Sequence, residues 1–410
     1  MRSIRSAPWL VDALLYGGST VFAGVTAAAA GIPLQRSWGR TAVWAYGVAA
    51  VVAVGAALLR NDESRRPRRR TLLAVAVFVF AAAVPLVVAA ILRAEGDPGH
   101  HAQSEVIVVE EAADALLDGR DPYAAEYRDG PLVDRPLATQ VHVPYLPGML
   151  VFGIPRALAG HAPWADARVW FAIGALGVVL VSLRRSDISP DARLRVFQVL
   201  FALPTGALLL ATGGDDVPVV ALLLAASVLA ERGRAGAAGL LGGLALATKQ
   251  TSLLVLPFLA LGIAGGRDRH RFITITGLVA AGLTLPFALW DWGSFVEDTI
   301  LFPLNLGTGR SAAETPTVGS LLLDLLPSHR AAVTAILVAV VAGVMALLLF
   351  TGRVTTMSQA CVRAAGAFLA AVALAPAARA GYLVYPVNLM VWALAMRVGP
   401  RGAGPGAEEG

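Results

Sequence analysis

Twelve apolar runs, at 9–31, 41–59, 71–92, 169–183, 196–211, 217–230, 236–247, 252–264, 273–290, 331–350, 364–378 and 382–396, succeed one another along the chain. Short arginine-rich or acidic segments separate most of them. About 20 apolar residues cross a bilayer as a helix, because backbone in hydrocarbon must satisfy its own hydrogen bonds. The runs therefore imply an all-α, polytopic membrane protein, and the hydrophobic share of 57% agrees with that class. Several runs fall short of 20 residues, so flanking polar residues extend them between neighbouring helices. The first is too long and lacks the end of a removable signal peptide, and reads as a retained span. The single cysteine, Cys361, permits no intramolecular disulfide; beside Arg363 it reads as an inert thiol in a cytoplasmic loop.

The net charge of +5 comes from arginines, clustered at 60–70, 184–187, 231–234 and 266–271. Short basic loops between spans mark the cytoplasmic side. Both termini are then cytoplasmic, the run at 71–92 carries the chain outward, and 94–142 is external. Keeping the arginines at 184–195 inside requires that 143–158 enter and leave on the external side. Pro147, Gly148, Gly153 and Pro155 suit such a broken half-helix. The competing arrangement lets 143–158 cross and removes a later short run, such as 217–230. The first gives about twelve crossings, organised as 1–70 (two spans and a basic loop), 71–396 (a membrane module) and a Gly/Pro-rich tail, 397–410, expected to be disordered.

The polar stretch 95–145 interrupts the apolar pattern. At 100° per residue, Val109, Ala112 and Leu116 share a helix face with Glu105, while Glu110, Glu111, Asp114 and Asp118 gather opposite as a solvated face. Glu105 has two readings. On an apolar face, a desolvated carboxylate holds protons more strongly and suits a general base. As a first-turn acid, it simply complements the helix dipole.

The motifs of this stretch are Glu105, the paired Ala112 and Ala113, then L-x-G-x-D-P-Y ending at Asp121 and Tyr123, then Y-x-P-G from Tyr145 to Gly148. Together they resemble glycosyltransferase family 87. The resemblance implies a GT-C-like bundle with a long external first catalytic loop, and an inverting enzyme that takes a sugar, typically mannose, from a polyprenyl phosphate. Glu105 occupies the place of the family's catalytic aspartate, and Val109 stands where a tyrosine is common. An Asn-Gln-Ser element usual near 307–320 is missing.

Further candidates follow. Asp215 and Asp216 at a span end can hold a divalent cation or sugar hydroxyls, or cap the following helix. Lys249, the only lysine, interrupts an apolar run, where a charge is costly unless paired or hydrated. Its ammonium is expected either to hold the donor phosphate or to snorkel to the interface. Arg310 and Arg379 are further phosphate candidates. His142, Tyr145 and Gln250 are substrate candidates, and Tyr382 and Tyr385 read as a sugar platform or an interfacial aromatic belt. His100, His101 and Glu105 share a metal-like spacing, but no further ligand completes a site.

The expected partners are a polyprenyl-phosphate sugar, a lipid or glycan acceptor and membrane lipids, with no nucleic acid. The rivals are a transporter or flippase of a lipid-linked sugar, which also accommodates broken helices, and an inactive envelope-assembly scaffold.

Overall fold

The computed structural model describes residues 8–59, 66–97, 99–309 and 315–397. Arg2, Arg5, Arg310, the core of the basic loop and the tail fall outside them. Among the described residues there are eight helices long and apolar enough to cross a membrane, and no strand longer than an isolated bridge.

α1 (Pro8–Ala29) and α2 (Pro33–Leu58) form an antiparallel hairpin. It packs on α3 (Arg66–Glu95), which carries a π turn at Val79–Ala83. α2 supplies donors where helical bonding is broken. Trp38 Nε1 donates to the Ala81 carbonyl (2.7 Å), and the Tyr46 hydroxyl to that of Ala202 (2.9 Å). Ala202 ends a second π turn just before Pro204, whose missing N–H helps leave carbonyls free. The hairpin is thus fitted to the irregular turns of the module it precedes.

α4 (Ser104–Leu117) is the helix expected in the polar stretch. After it, Pro147–Phe152 and Ile154–Ala159 form two short helical pieces. Their thirteen residues rise about 20 Å, too little to cross about 30 Å of hydrocarbon. The segment begins beside Lys249, where Leu146 N–H donates to the Thr248 carbonyl, and the chain re-emerges at Asp166, bonded to Arg93. Both ends lie at one pole, the geometry of a re-entrant half-helix.

α5 (Ala167–Arg185) runs to the opposite pole, and α6 (Pro190–Thr212) returns. α7 (Asp216–Glu231) and α8 (Ala235–Thr248) follow, with 16 and 14 residues. They rise only about 24 and 21 Å, so Asp216 and Lys249 stop short of a full bilayer core. α9 (Gly266–Trp290), α10 (Arg330–Phe350), α11 (Met357–Leu374) and α12 (Val384–Arg397) complete the bundle. Cys361 lies on α11, fully buried, and not in a loop as expected: its helix packs against α12 and the 256–262 segment.

Two buried ion clusters mark the poles. At one, Arg70 pairs with Asp12 and Asp191, and Arg195 with Asp12. At the other, Arg93 pairs with Glu110 and Asp166. Arg70 and Arg93 both sit on α3, 23 residues or about 35 Å apart, close to one bilayer core.

Candidate active site

The site is assembled where α4 meets the ends of α6, α7 and α8. Gly213, in the left-handed region at φ +116°, ends α6. A Cβ there would come within 2.1 Å of Val106 Cγ2, so only glycine lets the first turn of α4 seat on this corner. Gln103 N–H donates to the Thr212 carbonyl (3.1 Å) and secures it. Farther along α4, Val109 and Ala113 lie on Gly153 of the half-helix, whose Cβ would approach Ala113 Cβ to 2.8 Å. Gly153 and the small Ala113 thus permit a close helix crossing.

Glu105 is 9% exposed. Its Oε1 is ion-paired with Arg379 Nη1, and its Oε2 is buried without a hydrogen-bond partner among the described residues. A buried carboxylate oxygen with no donor is costly, and a bound substrate hydroxyl would satisfy it. Arg379 opens the short turn Ala380–Leu383, which also carries Tyr382.

Lys249 forms the second half of the site. Its Nζ donates to Asp215 Oδ1 (2.8 Å) and Asp216 Oδ1 (2.7 Å), between the rings of Tyr145 and Tyr382 at 5.5 and 5.4 Å. The Tyr385 hydroxyl donates to Asp216 Oδ1 (2.9 Å), and its ring stacks on Phe368. Asp215 Oδ2 has no partner among the described residues. Lys249 therefore does not snorkel to the interface: it is 5% exposed and ion-paired with both carboxylates. Its ammonium also occupies the space between the carboxylates, so the pair fits a lysine counter-ion and not a divalent cation. Among the described residues no group of three or more metal-ligating side chains gathers. His100 pairs with Asp97 on the surface. Tyr385 is buried, so the belt reading fails for it.

The family model for glycosyltransferase family 87 matches residues 144–376, more than half of the chain. The chain belongs to glycosyltransferase family 87. It is a membrane glycosyltransferase, which excludes the transporter reading. No curated protein and no solved structure matches it. Tyr145, Asp215, Asp216, Lys249 and Gln250 lie inside the matched range; Glu105, His142, Arg379 and Tyr382 lie outside it.

The remaining candidates of the transferase separate. The Tyr123 ring packs edge-on to Phe287 and Phe295, and its hydroxyl donates to the Tyr145 carbonyl (2.9 Å), so it braces the Y-x-P-G segment from within the core. Asp121 caps this turn through Tyr123 N–H, and its Oδ2 has no partner among the described residues. Gln250 Nε2 donates to the carbonyls of Pro144 and Thr299 (both 3.2 Å), while its Oε1 has no partner among the described residues. His142 is committed to protein: Nδ1 lies 2.6 Å from Asp298 Oδ1 and Nε2 2.8 Å from the Thr308 carbonyl.

The expected solvated face of α4 is corrected in one member. Glu110 is buried: Oε1 accepts from Arg93 Nη1 (3.0 Å) and Ala167 N–H (2.9 Å), and Oε2 from Arg93 Nη2 (2.6 Å). α4 is covered on a second side by the start of α5, which a helical wheel cannot show. Glu111 is half-buried, and burial, aided by Asp114 and Glu110, pushes its carboxyl up to about 7. Asp114 and Asp118 are exposed as expected. Sequence reading missed Asp166, Arg168 and Asp298, which reach Arg93, the His101 carbonyl and His142, all remote along the chain. For Asp166 the only signal was its N-cap position before an apolar run.

Proposed function

We propose that this family 87 transferase moves a sugar, with mannose the first choice, from a polyprenyl phosphate to a lipid or glycan hydroxyl at the external membrane face, with inversion. The observation that supports the reading best is the buried Oε2 of Glu105, which has no donor among the described residues while Oε1 is paired with Arg379. Glu105 Oε2 takes the proton of the acceptor hydroxyl as its oxygen bonds to the anomeric carbon. The bond from that carbon to the phosphate oxygen breaks, and its electron pair leaves with the polyprenyl phosphate.

Arg379 is the phosphate ligand in this reading. Its side chain is 37% exposed, whereas that of Lys249 is 6% exposed and held by two carboxylates. Donor phosphate competes with Glu105 for the guanidinium, so donor arrival also loosens the base. Lys249 instead holds Asp215 and Asp216 in place, with Asp215 Oδ2 turned to a sugar hydroxyl and Tyr145 and Tyr382 against the ring. Arg310 remains a second phosphate candidate from the external loop.

The test is transfer of labelled mannose from polyprenyl-phosphate mannose by the purified protein in lipid nanodiscs, supplied with extracted membrane acceptors. Transfer by the parent protein and its loss in Glu105→Gln support the reading. A Glu105→Gln protein that transfers at the parent rate removes Glu105 from the chemistry. Activity only with another donor sugar corrects the sugar assignment, and no transfer with any lipid-linked donor leaves the inactive-scaffold reading standing.

A further inference from the structure

Asp298 lies 156 residues from His142 in sequence and is 2% exposed. Its Oδ1 meets His142 Nδ1, and its Oδ2 accepts from Val143 N–H (2.8 Å). The His142 ring stacks on Phe302 at 4.1 Å and reaches the Thr308 carbonyl with Nε2. These contacts fasten two arms of the site. The first is 142–146, which places Tyr145 over Lys249 and is also held by Gln250 at the Pro144 carbonyl and by Tyr123 at the Tyr145 carbonyl. The second is the external stretch 302–309. Asn305 Nδ2 donates to the Pro376 carbonyl (3.3 Å), and, past the undescribed residues, Thr315 N–H donates to that of Ala378 (3.1 Å). Those carbonyls lie three residues and one residue before Arg379.

We infer that Asp298 and His142 are the positioning pair of this active site, holding the Tyr145 and Arg379 arms together through a shared proton and releasing them in alkaline external solution. The inference rests on the reading that this pole faces outward. Both ring nitrogens face acceptors, a carboxylate and a backbone carbonyl. Satisfying both contacts needs one proton on Nε2 and another between Nδ1 and Asp298 Oδ1. Removal of the second proton sets acceptor against acceptor on one side of the ring, whichever tautomer remains. The Thr308 hydroxyl lies 3.4 Å from Nε2 but makes its shorter contact to Glu297 Oε1 (2.8 Å), to which it donates.

The surrounding groups push the same way. Burial opposes the charged ring, but the hydrogen bonds to Asp298 and Thr308, with the charges of Asp298 and Glu297, outweigh it and move His142 upward. Burial also moves Asp298 upward against the pull of His142. Tyr123 and Tyr127, which face Asp298 from the 121–127 loop, are raised by burial and stay protonated through neutral pH. A histidine raised in the folded state stabilises its contacts fully below its ordinary value of about 6.5 and loses that contribution as pH rises through the raised value.

Hydrogen exchange of the 302–309 amides, corrected for intrinsic rates and followed from pH 6 to 9 in nanodiscs, tests the latch without reference to any donor. Protection that falls on the alkaline side supports it; equal protection across the range overturns it, whatever the activity. His142→Arg supplies permanent donors and should keep protection at both ends, while Asp298→Asn should move the loss to lower pH. If His142→Arg opens at the same pH as the parent, or Asp298→Asn leaves the transition in place, the pair is not the sensor. The transfer rate should fall along the same alkaline limb with KM rising, because the arms that hold the substrate separate. Glu105→Gln should leave the exchange profile unmoved. Absence of transfer with an intact exchange transition defeats the donor assignment and not the latch.

Discussion

Two glutamates on α4, five residues apart, are both buried, and their surroundings differ in one respect. Glu110 has both oxygens bonded: Arg93 grips each of them, and Ala167 N–H adds a second bond to Oε1. Asp166, shared between Arg93 and Arg168, extends the cluster, and Arg168 reaches on to the His101 carbonyl (2.7 Å). Glu105 has one oxygen paired and one left without a donor among the described residues. A fully satisfied ionic cluster positions helices; a half-satisfied carboxylate retains a lone pair for a ligand. On the proposed reading, this difference separates Glu110, a part of the architecture, from Glu105, the base.

The sharpest way to break this division is to make the same change at both places. Glu105→Gln removes a base and keeps the shape, so turnover should drop on the order of 10²–10⁴-fold, with thermal stability nearly unchanged. Glu110→Gln leaves Arg93 and Arg168 with reduced compensation and should cost on the order of 3–5 kcal/mol in stability, read as a lower melting temperature or failure to accumulate. Opposite results, with Glu110→Gln folded but inactive and Glu105→Gln unstable, would exchange the roles.

A smaller effect is expected at Lys249. Lys249→Met leaves Asp215 and Asp216 facing each other without their counter-ion, so both binding and stability should suffer, whereas Lys249→Arg should recover part of each. Comparison of KM and melting temperature checks it; a change in donor KM alone, with stability intact, would return Lys249 to a direct phosphate role. This differs from Arg379→Lys, which keeps the charge but loses the planar fork and should raise donor KM without destabilising the fold.

The smallest effects belong to the outer acids of α4. The Glu111 carboxyl is raised in the folded protein, so folding binds a proton there and stability declines as pH climbs from about 4.5 towards 7. Glu111→Gln removes that penalty and should stabilise by on the order of 1 kcal/mol at pH 8, with no gain at pH 4. Asp114→Asn, at an exposed position, should stay within about 0.5 kcal/mol of the parent and keep its turnover. A loss of activity in Asp114→Asn comparable to that of Glu105→Gln would show that burial does not separate the two classes of acid.

What the sequence determined by itself rests on local, periodic or compositional signals. Apolar runs fixed the membrane class, the short proline- and glycine-bearing segment at 145–155 marked the half-helix, and the apolar periodicity of 105–118 placed α4 and singled out Glu105. The family motifs drew Glu105, Tyr145 and Asp121 together before any geometry was known. Tertiary structure alone decided which charges met. A helical wheel orders the faces of one helix but does not say how many neighbours cover it, so Glu110 looked solvated until α5 closed over it. Lys249 was conspicuous as the lone lysine, yet its two carboxylates come from a turn 33 and 34 residues earlier. His142 needed Asp298, 156 residues away, to become a latch. Such pairings depend on how helices of unequal length stack in the bundle, and desolvation makes each one worth enough to define a site only after that stacking has excluded water.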